Sequence, residues 1–226
     1  DEVQSRKLRD NLGLLADDIM ILQPTRIVQR KGIEHAVSLV EELEDPRCKL
    51  VVSHEAGDEG FEYMDWLKEN ARERGVDLRM VTTRIADPIQ GNQNNGEHST
   101  LWDVYPHADF ITYPSLYEGF GNAFLESVYF KKPLLINRYS IFIKDIEPKG
   151  FDLVVMDGFI TSQTVAQVQA ILSRPDLRNQ MVEHNYSLAR KHFSYDRLQR
   201  TLGFIVDQMG ISSASQPQHS LTMGME

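Results

Sequence analysis

Short apolar runs alternate with amphipathic stretches along this chain. Ile19-Met20-Ile21-Leu22 and Ile27-Val28 read as one buried strand interrupted at Gln23-Pro24-Thr25. Lys49-Leu50-Val51-Val52, Leu78 to Thr82, Asp109 to Tyr113, Pro133 to Asn137 and Asp152 to Met156 supply five more. Most are continuous rather than alternating in polarity, the pattern of strands covered on both faces. Between them the period changes. Ile33, Ala36, Val37, Val40 and Leu43 form an apolar stripe, with Glu34, Glu41 and Glu42 on the wet side. Helices are also predicted over Phe61 to Arg74, stopping at Gly75, and over Leu101 to His107, Asn122 to Lys131 and Thr161 to Leu172. Two more follow, Pro175 to His192 and Tyr195 to Met209, the last with Ser194 and Asp196 as cap residues. Strand and helix in alternation predict an α/β fold, a doubly wound parallel six-stranded sheet of Rossmann-like form.

Two segments stand outside this rhythm. Ala86 to Ser99 is a long polar loop after the third strand, on the side where an open parallel sheet binds ligands. It fits a functional loop and plain disorder equally well. Residues 211–226 are Ser- and Gln-rich and read as a disordered tail. The expected organisation is a helix or linker over 1–18, one domain over 19–210, and that tail.

Composition narrows the partners. Of 226 residues, 24 are Lys or Arg and 33 Asp or Glu, a formal charge of −9 without a long basic run. Such a field disfavours nucleic acid and anionic lipid, although local geometry still permits one small phosphorylated ligand. Cys48 is the single cysteine, so no internal disulfide forms, and its place in a strand marks it as a small buried hydrophobe. No apolar stretch approaches the length of a transmembrane segment, and a cytoplasmic location is expected. The chain begins Asp1-Glu2 with no start Met, which reads as a piece excised from something longer.

Two constellations carry candidate chemistry. Pro114-Ser115-Leu116-Tyr117-Glu118-Gly119-Phe120-Gly121-Asn122-Ala123-Phe124-Leu125-Glu126 follows a strand and opens a helix. Gly119 and Gly121 permit tight turns and close ligand approach. The amides of Gly121, Asn122 and Ala123 at a helix start suit an anion. Glu118 precedes the helix and Glu126 lies about one turn inside it, so both can face one crevice and accept hydrogen bonds from sugar hydroxyls. The same residues also fit a glycine-containing turn with two solvated carboxylates. The second constellation is Thr25-Arg26-Ile27-Val28-Gln29-Arg30-Lys31-Gly32, where Arg26 and Lys31 can present two cations to a diphosphate. Arg30-Lys31 equally fits a solvated loop.

Taken in order, Arg26…Lys31-Gly32, Ala108-Asp109-Phe110, Pro114-Ser115, Glu118-Gly119-Phe120-Gly121 and Leu125-Glu126 resemble the donor-binding, C-terminal half of a retaining GT-B glycosyltransferase of family 4, the glycosyl transferases group 1. The likeness runs from about Ile19 to Phe204. It implies that Arg26 and Lys31 grip a nucleotide diphosphate and that Glu126 holds the ribose hydroxyls. It implies that Glu118 is the catalytic carboxylate beside the donor sugar, and that Gly119, Phe120, Gly121, Asn122 and Ala123 reach sugar and phosphate oxygens. The donor would be a UDP-, GDP- or ADP-sugar, with no cofactor, and the nucleobase would meet the backbone near Thr83 to Ile85. The acceptor would bind a preceding domain absent from this chain, leaving the isolated chain inactive as a transferase. Fixed cations and helix amides can stabilise the departing diphosphate. The chain has no Asp-x-Asp motif, so metal-independent transfer is expected.

One departure is the bulky Asn137-Arg138-Tyr139-Ser140-Ile141-Phe142, where many relatives carry a small Gly-rich loop. The run Tyr139-Ser140…Asp145-Ile146…Gly150-Phe151-Asp152 resembles a subgroup that makes glycosylated glycerate-type solutes. The alternatives are a non-catalytic nucleotide- or partner-binding α/β module, and a related sugar-nucleotide epimerase or phosphorylase. A dinucleotide fingerprint is missing, since Thr25 to Gly32 holds one glycine and Phe124 stands where Gly119-x-Gly121 would need its third. No Gly-x-Ser-x-Gly elbow surrounds Ser115. The seven histidines show no ligand spacing, so no metal site is expected, and His54 and His107 read as structural. Trp66 and Trp102 read as core.

Overall fold

The computed structural model describes residues 8–53, 61–81 and 101–194, with positions 197 and 199. Six strands, β1 (Ile19–Gln23), β2 (Cys48–Val52), β3 (Leu78–Met80), β4 (Phe110–Tyr113), β5 (Leu134–Asn137) and β6 (Val154–Met156), form one sheet in the order β3-β2-β1-β4-β5-β6. Every pairing is parallel, with Ile21 opposite both Leu50 and Phe110 in register. Continuous apolar strands are explained by cover on both faces. Ile21, Leu50, Val52, Phe110, Leu135 and Val154 pack in one cluster with apolar residues of α1 (Ile33–Leu43), α2 (Phe61–Glu73) and α5 (Ser162–Ser173). The alternate positions Met20, Leu22, Val51, Ile111, Leu134 and Ile136 are buried as well.

The remaining helices are α3 (Leu101–Val104), α4 (Asn122–Tyr129) and α6 (Pro175–Phe193). A 3-10 turn over Tyr105–His107 follows α3, and a π-helical segment, Phe142–Ile146, with a 3-10 turn, Glu147–Lys149, joins β5 to β6. Two compact units divide the chain, Asp1–Ala189 and Arg190–Glu226. The sheet lies in the first. In the second, the Arg197 amide donates to Ser194 Oγ at 3.3 Å, the cap expected of Ser194.

Several expectations needed correction. Ile27-Val28 does not extend β1: the strand ends at Gln23, Ile27 is buried in a bend, and Val28 leads into a 3-10 turn over Gln29–Lys31. A proline at 24 withholds the amide that a continuing ladder needs. Trp66 and Trp102 are not core; they are 49% and 47% exposed. Each still rests on aromatic neighbours, Trp66 stacked on Tyr63 at 5.7 Å and Trp102 edge-on to Phe130 at 5.4 Å. Large rings bury one face against a helix surface without being enclosed. Cys48 is buried in β2, as its strand position suggested. The long loop 86–99, His54, Thr83 to Ile85, Asp196, most of the Tyr195 to Met209 helix and the 211–226 tail lie outside the described residues, as do positions 1–7. Among the described residues no helix is long and apolar enough to cross a membrane.

Candidate functional site

Strand order reverses between β1 and β4, because the chain winds outward from β1 through β2 to β3 and then returns to β4. Ligands of open α/β sheets settle beyond the carboxyl ends of the strands at such a point. A cavity of about 350 Å³ lies there. Pro24, Thr25, Arg26 and Lys31 after β1 form one wall, and Tyr113, Glu118, Phe120, Gly121, Asn122, Ala123 and Glu126 form the other. Eight of the nine residues singled out in the sequence therefore meet in one place. Gly119 does not line the cavity, and its φ is not positive.

The two walls are joined by backbone. The Leu116 amide donates to the Arg30 carbonyl at 2.9 Å. Gly32 makes this seam possible: it adopts φ 60°, ψ 35°, and a Cβ there would stand 2.7 Å from the Pro114 carbonyl oxygen. Below the seam lies a buried polar network. Thr112 donates to Gln23 Oε1 and Gln23 Nε2 donates to Thr25 Oγ1, both at 2.8 Å. Asn137 Nδ2 donates to the Ser115 carbonyl at 3.1 Å and Asn137 Oδ1 accepts from the Gly158 amide at 3.0 Å. These bonds satisfy groups that burial would otherwise penalise, and they set the spacing of the strand ends.

Lys31 is buried rather than solvated, which settles the alternative left open for the basic pair. Its ammonium donates to Glu118 Oε1 and lies 5.8 Å from the centre of the Tyr113 ring. Burial pushes the Lys31 ammonium below its ordinary value against the pull of Glu118, and the charges of Arg30 and Arg26 push the same way. Burial acts to raise the Glu118 carboxyl, but Lys31, with the Ser115 and Tyr113 hydroxyls, outweighs it and holds Glu118 below its ordinary value. Arg30 adds a longer contact to Glu118, 3.7 Å, and lies 5.6 Å from the Tyr117 ring centre. Glu118 is thus the partner of cations and not a solvated carboxylate.

Glu126 is held differently. The Tyr105 hydroxyl, fully buried, donates to Glu126 Oε2 at 2.9 Å. Burial first, then the Glu126 charge, hold the Tyr105 phenol well above its ordinary value, so it remains a donor. Between the two carboxylates, Gly121 caps α4 with φ 107° and without a side-chain cap on the helix amides. A Cβ at Gly121 would stand 2.7 Å from the Tyr139 hydroxyl and 3.1 Å from Tyr113. Tyr139, in the bulky segment after β5, donates to the Phe120 carbonyl at 2.8 Å and so supports the turn from beneath. Tyr105 and Tyr113 escaped the sequence reading as site residues, and Tyr139 entered it only as part of the bulky segment after the fifth strand. Tyr113 and Tyr139 lay in a strand and a loop whose polarity gave no sign of direction, and Tyr105 stands 21 residues from its partner. Among the described residues no group of three His, Cys, Asp or Glu side chains is placed to hold a metal ion.

The geometry offers two cations and an open helix start for phosphate, with two differently held carboxylates for hydroxyl groups. Comparison with known proteins identifies the family and the fold. The glycosyl transferases group 1 profile matches residues 4–188. Mannosylglucosylglycerate synthase of Thermotoga maritima is 31% identical over 229 residues, covering 89% of this chain and 52% of its own length. The synthase of the same name from Petrotoga mobilis is 37% identical over 165 residues, covering 66% of this chain and 38% of its own length. The chain thus spans about half or less of the relatives it matches. Among solved structures, Anabaena HepE in complex with UDP superimposes with a TM-score of 0.74 at 13% identity, covering 92% of this chain and 53% of that one. The C-terminal domain of a Francisella tularensis glycosyl transferase group 1 protein gives 0.66 at 17% identity, covering 86% of this chain and 95% of that one. These two show the fold, that of GT-B glycosyltransferases. With more than half its length matched by the profile, the chain belongs to the glycosyl transferases group 1 family.

Proposed function

We propose that this chain is the donor-binding half of a retaining, metal-independent glycosyltransferase. The observation that carries this reading is the convergence of Arg26, Lys31, Glu118, Glu126 and the start of α4 on one cavity at the sheet's switch point. Arg26 and Lys31 take the diphosphate, and the first amides of α4 add the positive end of a helix dipole. As the bond from the anomeric carbon to the diphosphate oxygen breaks, its electron pair stays on phosphate. These fixed donors stabilise the charge where it develops.

Lys31 is at first committed to Glu118. An arriving diphosphate competes for the ammonium, and Glu118 is released to accept hydrogen bonds from donor-sugar hydroxyls. It is also placed to steady the positive charge that grows on the sugar. Glu126 receives the ribose. The two relatives bearing the name mannosylglucosylglycerate synthase, with the Tyr139 to Asp152 run, support a hexosyl donor and a glycosylated-glycerate acceptor for the whole protein. The acceptor would sit on a further domain of the whole protein.

Thermal denaturation of the 226-residue chain with UDP, GDP or ADP tests this reading. One of the three is expected to raise Tm in a saturable way, and Lys31→Met to require about 10- to 100-fold more of it for the same rise. No stabilisation by any of them contradicts donor binding.

A further inference from the structure

Glu126 belongs to the cavity wall, yet one of its oxygens is already engaged from behind. The engaging group, Tyr105, lies on the 3-10 turn after α3, on a different element from every residue that lines the cavity. Its hydroxyl donates to Glu126 Oε2 at 2.9 Å, and its ring is fully buried, stacked on Phe130 at 5.0 Å with planes 6° apart. Phe130 follows α4 directly, so the stack ties the turn to the helix that bears Glu126. A Glu side chain on a helix surface samples several rotamers, and ordering it at the moment of binding carries an entropic cost. A hydrogen bond from a rigid, buried phenol removes that freedom beforehand and leaves Oε1 for the ligand.

We propose that Tyr105 is a positioning residue for nucleotide recognition. By fixing Glu126 from behind, it makes the cavity selective for nucleotides that carry ribose hydroxyls over those that lack them. The inference rests on the donor-binding reading, and within it assigns sugar selectivity to a side chain that touches no ligand. Two vicinal hydroxyls can both donate to a carboxylate whose orientation is set. To an unfixed one they donate at the expense of its rotamer entropy.

The test compares, on the full chain, affinity for whichever of UDP, GDP or ADP binds best with affinity for its 2′,3′-dideoxy counterpart. The parent is expected to prefer the ribonucleotide, and Glu126→Ala to lose that preference. Tyr105→Phe keeps the ring stack and removes only the hydroxyl. It is expected to reduce the preference about five- to tenfold, mostly through weaker ribonucleotide binding, with affinity for the dideoxy form unchanged. Phe130→Leu removes the ring stack and keeps the hydroxyl. It is expected to lower Tm and leave the preference in place. If Glu126→Ala collapses the preference while Tyr105→Phe retains it in full, the positioning role is overturned and donor binding stands. If Tyr105→Phe weakens the ribonucleotide and its dideoxy counterpart alike, the hydroxyl supports the site's packing and does not orient Glu126, and the inference fails. If the parent binds no nucleoside diphosphate, the donor-binding reading itself has failed.

Discussion

Glu118 and Glu126 face the same cavity from opposite ends of one turn, and they are held by opposite chemistry. Glu118 is gripped by a cation, Lys31, across the seam between two loops. Glu126 is held by a neutral phenol, Tyr105, that approaches from behind its own helix. An ionic grip can be exchanged, and in the proposed reading an incoming diphosphate would offer Lys31 a stronger partner. A neutral bond from a buried ring stays in place while ligand arrives. Under the proposed donor binding, one carboxylate would change partners when the ligand arrives and the other would be ready beforehand.

The largest effect should come from breaking the seam on which the Glu118 side depends. Gly32→Ala forces a Cβ against the Pro114 carbonyl at a positive φ, and is expected to cost about 3 kcal/mol of stability, read by urea unfolding. Gly119→Ala, where a Cβ would meet nothing within 4 Å, should be close to neutral in the same assay. Equal losses at the two glycines would remove the case for the seam.

Next in size is the exchange itself. Glu118→Gln frees Lys31, so affinity for a bare nucleoside diphosphate should rise severalfold while affinity for the nucleotide sugar falls. Calorimetric titration with both ligands separates the two effects. A fall in both would mean that Glu118 orders the site and does not compete for Lys31.

The acid limb of stability should show the same difference. Glu118 is held below its ordinary value in the folded state. Its contribution is therefore present above about pH 4.3, the unfolded value, and is lost as pH falls through the folded value. Lys31 is also depressed, so the cost of burying its charge is present at neutral pH and is relieved as pH rises from its folded value toward about 10.4. Glu118→Gln should flatten the acid limb in unfolding measured from pH 3 to pH 6. An unchanged slope would show that the pair contributes nothing there.

The smallest effect is expected at Tyr139→Phe, which removes the bond to the Phe120 carbonyl and should cost about 1 kcal/mol of stability. A loss above about 3 kcal/mol would show the turn to be propped more heavily than the Glu118 and Glu126 contacts imply.

Much of this arrangement was legible in the residue order. Continuous apolar strands with amphipathic segments between them announced the sheet, and the resemblance to the donor-binding half of a GT-B glycosyltransferase set Arg26, Lys31, Glu118 and Glu126 at one site. The residues that hold those side chains were not legible. Gln23 and Thr112 look like ordinary strand polar groups until the register pairs them, and so does Asn137 until the Ser115 carbonyl is placed beside it. Tyr105, Tyr113 and Tyr139 act across long sequence separations, which periodicity does not encode. The same holds for Gly32 and Gly119, which look alike in the sequence and differ in backbone conformation and in what stands over them. Trp66 and Trp102 went astray because ring size argues for burial, whereas half-covered rings on a helix surface satisfy the same preference.

The most direct test of the central claim, that Lys31 is a diphosphate ligand held in reserve by Glu118, is the affinity of the Lys31→Met chain for the nucleoside diphosphate that the parent binds best. Loss of one charge-assisted contact to phosphate predicts binding weaker by about 10- to 100-fold. Affinity equal to the parent's would contradict the account.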